Sequence, residues 1–160
     1  MLPWLLRIWI RLPSGLRRVY LRLRYAHFAV GLAALIRDDQ GRVLLVRRTY
    51  SREEPWALPG GWMEGRDQPE RGLERELLEE TGLSFRVGPV LAVQRAGFAM
   101  VVLLSAELAD GSSLDQFRPS AEVSAVRWFE LAQVARLSPT NARLLGKAGL
   151  RSEDRGAGRS

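Results

Sequence analysis

The chain has 160 residues, of which 46% are hydrophobic, so it is long enough for one ordinary domain and too short for two. It has no cysteine and one histidine, which excludes disulfides, cysteine nucleophiles and multi-histidine metal sites. Carboxylates are therefore the candidate catalytic groups, and the lack of cysteine agrees with a cytoplasmic protein. The net charge of +6 is local, because residues 1–25 hold six arginines and no acid while the remainder is balanced. We expect no nucleic-acid partner.

Residues 1–25 form a predicted basic arm. Apolar side chains recur at helical spacing on both sides of a Pro-Ser-Gly break, which predicts short amphipathic helices within residues 2–9 and 16–23. Arginines interrupt the first apolar run, so neither a secretory signal nor a transmembrane helix is predicted. We expect the apolar faces to pack on the domain, and the alternative is that the arm docks on anionic lipid through Trp4, Trp9 and the arginines.

Residues 26–150 are predicted to form a mixed α/β domain, and residues 151–160 a disordered tail. Apolar, partly β-branched runs predict strands at residues 29–36, 42–48, 56–58, 85–94, 100–108 and 123–129. Helices are predicted at residues 68–81, 131–137 and 139–146, the last with Ser138 as its N-cap and Pro139 at its first position. The sequence Asp38-Asp39-Gln40-Gly41 predicts a hairpin between the first two strands, and residues 110–120 a loop.

Seven carboxylates crowd the stretch from Gly60 to Leu83. Asp67 and Glu70 are predicted to form a capping box at the start of the helix, and Gly82 to end it in the left-handed conformation. Glu64 and Glu74 are expected to lie on the solvated surface. These assignments leave three glutamates to explain.

Glu76, Glu79 and Glu80 lie at helical positions i, i+3 and i+4, so their side chains share one face although like charges repel. A divalent cation offsets this repulsion, and oxygen ligands suit Mg²⁺ or Mn²⁺. The alternative is a solvated acidic face. The Gly60-Gly61 pair favours the cation site, because glycines let the backbone approach a ligand and offer a carbonyl to it.

The stretch from Gly61 to Leu83 resembles the Nudix box, which reads Gly, five residues, Glu, seven residues, Arg-Glu-apolar-any-Glu-Glu-any-Gly-apolar. Every spacing matches, and only Asp67 departs, since it stands where the family has Glu. The resemblance covers roughly residues 28–147. It implies a Nudix fold, in which a mixed β-sheet is sandwiched between helices. It also implies Mg²⁺-dependent hydrolysis of a nucleoside diphosphate linked to another moiety.

The resemblance also implies roles for particular residues. Glu76, Glu79 and Glu80 would bind the metal together with the carbonyl of Gly60. Arg75 would orient the catalytic glutamate, and Asp67 would reach Arg75 or an outer metal with a side chain one methylene short. The first candidate for the general base is Glu76, and the second is Glu122, which precedes the last predicted strand.

Substrate-binding candidates flank the box. Arg47, Arg48 and Arg52 could reach a phosphate or a terminal ribose. Tyr50, Trp56 and Trp62 could stack on a base. Ordinary surface or core packing is the alternative for each of them.

Three classes of function stay open. The favoured one is a hydrolase of ADP-ribose or a nucleotide sugar. The others are a non-catalytic nucleotide-binding module and a hydrolase of a lipid-linked diphosphate that meets the membrane surface through the arm. A homodimer is compatible with all three.

Overall fold

The computed structural model of the chain describes residues 13–24, 28–65 and 67–150. Its helices are α1 (Ser14–Arg24), α2 (Pro69–Thr81), α3 (Leu131–Leu137) and α4 (Pro139–Lys147). Its strands are β1 (Ala29–Ile36), β2 (Val43–Arg48), β3 (Trp56–Ala57), β4 (Phe85–Ala96), β5 (Ala99–Leu108) and β6 (Val123–Phe129). Apart from the arm, each predicted helix and strand is confirmed to within two residues. The predicted arm helix within residues 2–9 and the predicted tail at 151–160 lie outside the described residues.

The strands form two three-stranded sheets, and the first of them is mixed, as predicted. In the first sheet, central β5 pairs with β1 in parallel and with β4 in antiparallel orientation. In the second sheet, central β2 pairs antiparallel with β3 and β6. The parallel pair accounts for the apolar character of β1, since strands buried on both faces carry continuous apolar runs.

Alternate residues of β1, β2 and β5 face two separate cores. One core contains α2 and is formed in part by Leu32, Ala34, Ile36, Leu44, Leu73, Leu77 and Leu104. The other contains α3 and α4 and is formed in part by Ala33, Leu35, Leu45, Leu103, Val134, Leu144 and Leu145. Helices therefore cover both faces of the strands, which confirms the predicted α/β/α layering.

The predicted hairpin between β1 and β2 is wrong as a strand pairing. The turn itself forms, because the Asp38 carboxylate accepts hydrogen bonds from the backbone N–H groups of Gln40 and Arg42 at 3.1 and 2.8 Å. Beyond it only Arg37 and Val43 pair, and the two strands join different sheets. One edge of β1 pairs with β5, and its other edge bonds with residues 59–63, since the N–H groups of Leu32 and Ala34 donate to the carbonyls of Gly61 and Pro59 at 2.8 Å. No edge of β1 is therefore left for β2.

The predicted capping box of α2 is also wrong. The N-cap is Gln68, and no side chain caps the helix start. Pro69 explains the shift, since a proline at the first helical position holds the preceding residue in extended conformation. Gly82 ends the helix with φ of 70°, as predicted. Glu74 is half-buried, and its carboxylate accepts a hydrogen bond from the N–H of Val87 at 3.3 Å. The prediction that Glu74 lies on the solvated surface is therefore also wrong.

Helix α1 confirms the second predicted helix of the arm. The favoured prediction that its apolar face packs on the domain does not hold for Leu16 and Val19, which are 56% and 53% exposed. Within residues 13–24, 28–65 and 67–150, no helix combines the length and apolarity needed to span a membrane.

Candidate active site

The glutamate face of α2 lines a cavity of about 630 Å³. The acidic and basic side chains of the box that reach this cavity are Glu64, Arg75, Glu76, Glu79 and Glu80. Glu122 reaches it from the segment before β6. The packing of Leu73 and Leu77 in the core fixes the orientation of α2, so the predicted shared face exists.

Glu80 is the most deeply buried of these carboxylates, with 6% of its surface exposed. Its Oε2 accepts a hydrogen bond from the backbone N–H of Gly60 at 2.9 Å. Burial raises the pKa of Glu80 to about 7, although the Gly60 N–H and the Arg48 guanidinium oppose the shift. The site thus holds a carboxylate whose negative charge lacks full compensation.

Glycine is required at Gly60 and Gly61 for two different reasons. Gly60 has φ of +141°, and a Cβ there would overlap the carbonyl oxygen of Leu32. A Cβ on Gly61 would instead overlap Oε2 of Glu76. The glycine pair therefore lets the segment after β3 pass close to β1 on one side and leaves room for the catalytic candidate Glu76 on the other.

Arg75 connects the carboxylates of the box. Its Nη1 lies 3.0 Å from Oε1 of Glu76 and 3.3 Å from Oε2 of Glu79. Desolvation would lower the pKa of Arg75, but Glu76 and Glu79 outweigh it and raise that pKa. Burial raises the pKa of Glu76 despite the neighbouring guanidinium. Arg75 can thus orient Glu76 while leaving it a stronger base than an exposed glutamate.

Asp67 reaches Arg75 in spite of its shorter side chain. Its Oδ2 lies 3.9 Å from Nε of Arg75, which is an ion-pair distance but too long for a hydrogen bond. Asp67 does not line the cavity. The structure therefore brings it to Arg75 and not to the three glutamates of α2.

The donor chemistry of the site fits a hard divalent cation, but the three glutamates do not converge as they stand. Glu80 turns to Gly60, whereas Glu76 and Glu79 turn to Arg75. Accordingly, the described part of the chain contains no group of three acidic side chains close enough to hold a metal ion. Repulsion between like charges and attraction to Arg75 account for this separation. The carboxylate oxygens and the partly uncompensated charge of Glu80 are what a divalent cation requires.

The substrate-binding candidates divide into two groups. Arg48, Tyr50 and Trp62 line the cavity, and Nε of Arg48 is buried without a hydrogen-bond partner. Arg47, Arg52 and Trp56 do not line it. Trp56 packs edge-on against Phe129 with ring centroids 4.9 Å apart, so it serves the core. The structure supports the alternative of surface or core packing for these last three.

Sequence reasoning missed two residues near the box. Glu64 lines the cavity and lies 4.0 Å from Nη2 of Arg75, so its assignment to the solvated surface is incomplete. Phe98, in the turn between β4 and β5, stacks on Trp62 with ring centroids 6.0 Å apart. Its signal in the sequence was an aromatic residue next to Gly97 in the short gap between two predicted strands.

Helix α4 supplies two further cavity residues that the sequence did not indicate, Thr140 and Asn141. Asn141 donates to Oγ of the buried Ser138 at 2.7 Å, and Thr140 donates to Glu54 at 3.3 Å. Ser138 is the N-cap by position, as predicted, but its side chain makes no capping bond. These contacts fix the start of α4 beside the cavity.

The NUDIX domain family model matches residues 27–147 of the chain. The chain therefore belongs to the Nudix family, as the box predicted. Its class is a Nudix hydrolase acting on pyrophosphate bonds, and the predicted class of enzyme is confirmed. Nudix hydrolases generally use a divalent metal. The carboxylate oxygens of Glu76, Glu79 and Glu80 are suitable ligands for such a metal.

Several named proteins resemble this chain. The MutT-like protein of Streptomyces ambofaciens is 31% identical over 107 residues, which are 67% of each chain. The ADP-ribose pyrophosphatase of Methanocaldococcus jannaschii is 36% identical over 69 residues, 43% of this chain and 41% of that protein. The RNA pyrophosphohydrolase of Saccharophagus degradans is 39% identical over 56 residues, 35% of this chain and 32% of that protein. The last two matches span less than half of the named proteins.

Among solved structures, that of a UDP-X diphosphatase superposes with a TM-score of 0.65 at 26% identity. The match covers 86% of this chain and 70% of that one. It supports the fold over nearly the whole described region.

Proposed function

We propose that this chain is a Mg²⁺-dependent hydrolase that cleaves the diphosphate linkage of a nucleoside diphosphate joined to another moiety. ADP-ribose or a nucleotide sugar is the favoured substrate, Mn²⁺ is the second candidate metal, and the cytoplasm is the favoured compartment. The observation that carries the proposal is the buried carboxylate of Glu80, which shares one cavity with Glu76 and Glu79. An uncompensated buried charge destabilises a fold unless something binds it.

The metal-binding residues in this proposal are Glu76, Glu79 and Glu80, with the carbonyl of Gly60. Mg²⁺, when bound, supplies positive charge to the diphosphate and lowers the pKa of water in its shell. Arg75 holds Glu76 and Glu79 in place when they would otherwise repel each other. Asp67 assists from outside the cavity through its ion pair with Arg75.

Glu76 is the proposed general base. It lines the cavity, and burial gives it a raised pKa, which makes its carboxylate a better proton acceptor near neutral pH. Glu122 is the second candidate, because it lines the same cavity from a different segment. Its backbone is fixed, since its carbonyl accepts the N–H of Thr49 at 2.9 Å, whereas its side chain is exposed.

The substrate side of the proposal uses Arg48, Tyr50 and Trp62. The buried, unpartnered Nε of Arg48 offers a donor to a phosphate oxygen. Tyr50 and Trp62 are exposed aromatic rings at the cavity, which suits stacking on a base. The cavity volume lies within the range of small-ligand sites.

The test is a substrate panel with the purified full-length protein, assayed with Mg²⁺, with Mn²⁺ and with a chelator. The panel contains ADP-ribose, UDP-glucose, a nucleoside triphosphate, a 5′-triphosphorylated RNA and a prenyl diphosphate, and products are read by chromatography. We expect metal-dependent cleavage, greatest for ADP-ribose or UDP-glucose. Cleavage of the RNA alone or the prenyl diphosphate alone would reassign the substrate. Binding without cleavage of any compound would instead indicate a nucleotide-binding module.

A further inference from the structure

Helix α1 carries large apolar side chains on the outside of the molecule. Leu16 and Val19 lie one turn apart and are more than half exposed, and Tyr20 beside them is exposed to a similar extent. None of the α1 side chains that the structure describes is buried. We call Leu16, Val19 and Tyr20 the apolar stripe. Exposed apolar residues at helical spacing mark a surface that binds something.

The charge of α1 limits what can cover this stripe. The helix has four arginines among its 11 residues and no acid. A helix turns by about 100° per residue, so Arg17 and Arg24 lie about 100° and 80° around the axis from Leu16, both on the Tyr20 side of the stripe. Arg24 is exposed, whereas Arg17 is half-buried and its Nε is shielded from solvent. Counting the whole arm, residues 1–25 contain six arginines and no acid, whereas residues 26–160 carry equal numbers of basic and acidic side chains.

We propose that α1 is a docking surface for an anionic lipid membrane. In this arrangement the apolar stripe enters the boundary between headgroups and acyl chains, and the arginines beside it contact lipid phosphates. At 11 residues, α1 is about 16 Å long, roughly half the thickness of the hydrocarbon core, so it lies in the plane of the surface.

Charge complementarity favours lipid over a second copy of the chain. A second α1 would bring four more arginines against the first, and like charges oppose that association. A membrane with anionic headgroups offers both an apolar layer for the stripe and phosphates for the arginines. The balanced charge of the rest of the chain means that the attraction acts on the arm and orients the protein.

The test is flotation of the full-length protein with vesicles of phosphatidylcholine, alone or mixed with phosphatidylglycerol. We expect binding to the mixed vesicles, little binding to phosphatidylcholine alone, and weakening as salt rises. The double variant Leu16→Ser with Val19→Ser should lose at least tenfold in partitioning. Its matched control is Val90→Ser with Val93→Ser, since these β4 side chains are about as exposed; this control should bind like the wild type.

A second pair of variants tests the charges. Arg17→Gln with Arg24→Gln should lower partitioning about 25-fold, because each arginine near an anionic surface contributes roughly a fivefold factor. The control removes two exposed arginines elsewhere, Arg136→Gln with Arg143→Gln, and should change partitioning less than twofold. Circular dichroism and thermal melting establish that each variant is folded.

Three outcomes would overturn the proposal. Failure of the folded wild-type protein to bind the mixed vesicles is the first, and unchanged binding by both α1 variants is the second. Self-association that depends on Leu16 and Val19, or capture of a single-stranded oligonucleotide, without vesicle binding is the third. That last result would assign the stripe to a second copy or to nucleic acid. None of these outcomes depends on hydrolysis, so the proposed function is tested separately.

Discussion

Two groups of residues line the cavity, and they are held in different ways. The glutamate group, Glu76, Glu79 and Glu80 with Gly60 and Gly61, is held mainly by close contacts with backbone and with Arg75. The aromatic group, Tyr50 and Trp62 with Phe98 stacked on Trp62, is 64%, 52% and 73% exposed. Substitutions in the glutamate group should therefore cause a large loss of turnover. Substitutions in the aromatic group should cause smaller changes in substrate affinity.

The largest effect is expected from two metal-ligand candidates of the glutamate group, the buried Glu80 and the exposed Glu79. Glu80→Gln and Glu79→Gln each remove a charged ligand candidate, so metal-dependent turnover should fall by about two to four orders of magnitude. Steady-state assays with Mg²⁺ measure this, and thermal melting should show an intact fold. Glu70→Gln is the control, because Glu70 lies in the first turn of the same helix and does not line the cavity. Unchanged turnover in both ligand variants would remove the metal-site hypothesis.

Replacing Gly60 and replacing Gly61 with alanine should affect different properties of the protein. In Gly60→Ala the new methyl group meets the backbone of Leu32, so the protein should lose about 2–4 kcal/mol of stability. In Gly61→Ala it meets the mobile end of Glu76, so stability should change little while turnover falls about 10- to 100-fold. Denaturant unfolding measures the stability of each variant, and steady-state kinetics measures its turnover. Gly111→Ala is the control, since Gly111 also has positive φ but open space around it; it should cost only about 1 kcal/mol. Equal loss of stability in both active-site variants contradicts this distinction.

The buried charge of Glu80 predicts how stability depends on pH in metal-free protein. Its pKa is about 7 in the folded state against an ordinary value of 4.5. A raised folded-state pKa means that folding takes up a proton between these values. The contribution of Glu80 to the free energy of unfolding should therefore be fully present below about pH 4.5 and should fall by up to about 3 kcal/mol as pH rises through 7.

Urea unfolding in chelator at several pH values measures this profile. Glu80→Gln should flatten it, whereas Glu70→Gln should keep the wild-type profile. Mg²⁺ should restore stability above pH 7 in the wild type and less so in Glu80→Gln, because a ligand stabilises the state that binds it. A wild-type profile that is flat between pH 4.5 and 7 would refute the assignment of a buried, uncompensated charge.

The two groups also differed in how far the sequence predicted them. The spacing of Glu76, Glu79 and Glu80 on one helix is local information, so their shared face could be predicted from helical periodicity alone. The separation of these glutamates by Arg75 and Gly60 could not, because it depends on contacts between segments. Similarly, Pro69 moved the helix start by one residue, which changed Asp67 from a cap into a partner of Arg75.

Residues that reach the cavity from distant segments were harder to predict. Thr140 and Asn141 reach it because α4 packs against the sheets. Phe98 meets Trp62 through the β4–β5 turn. The pairing of β1 with β5 joins residues about 70 positions apart, and the local turn signal at Asp38 suggested a hairpin instead. Long-range pairing of this kind has no counterpart in local periodicity.

A smaller effect is expected in the aromatic group. Phe98→Ala removes the ring that stacks on Trp62, so KM for a nucleoside diphosphate substrate should rise about three- to tenfold with kcat nearly unchanged. Val93→Ala is the control, because Val93 is exposed on β4 and does not line the cavity. A substrate without an aromatic base should show no difference between Phe98→Ala and wild type. A loss of kcat as large as that in Glu80→Gln would mean that the two groups do not differ as described.

The smallest effect is expected at Asp67, which lies outside both groups. Asp67→Glu adds one methylene, and Oδ2 now lies 3.9 Å from Nε of Arg75, so the longer side chain can form the hydrogen bond that aspartate does not. Turnover should hold or rise by no more than about threefold, because this bond acts on Arg75 and Arg75 already contacts Glu76 and Glu79. Asp67→Asn removes the negative charge of Asp67 while keeping the size of its side chain, and it should lower turnover modestly. A severe loss in Asp67→Glu would show that the site is built around aspartate and that Asp67 does more than orient Arg75.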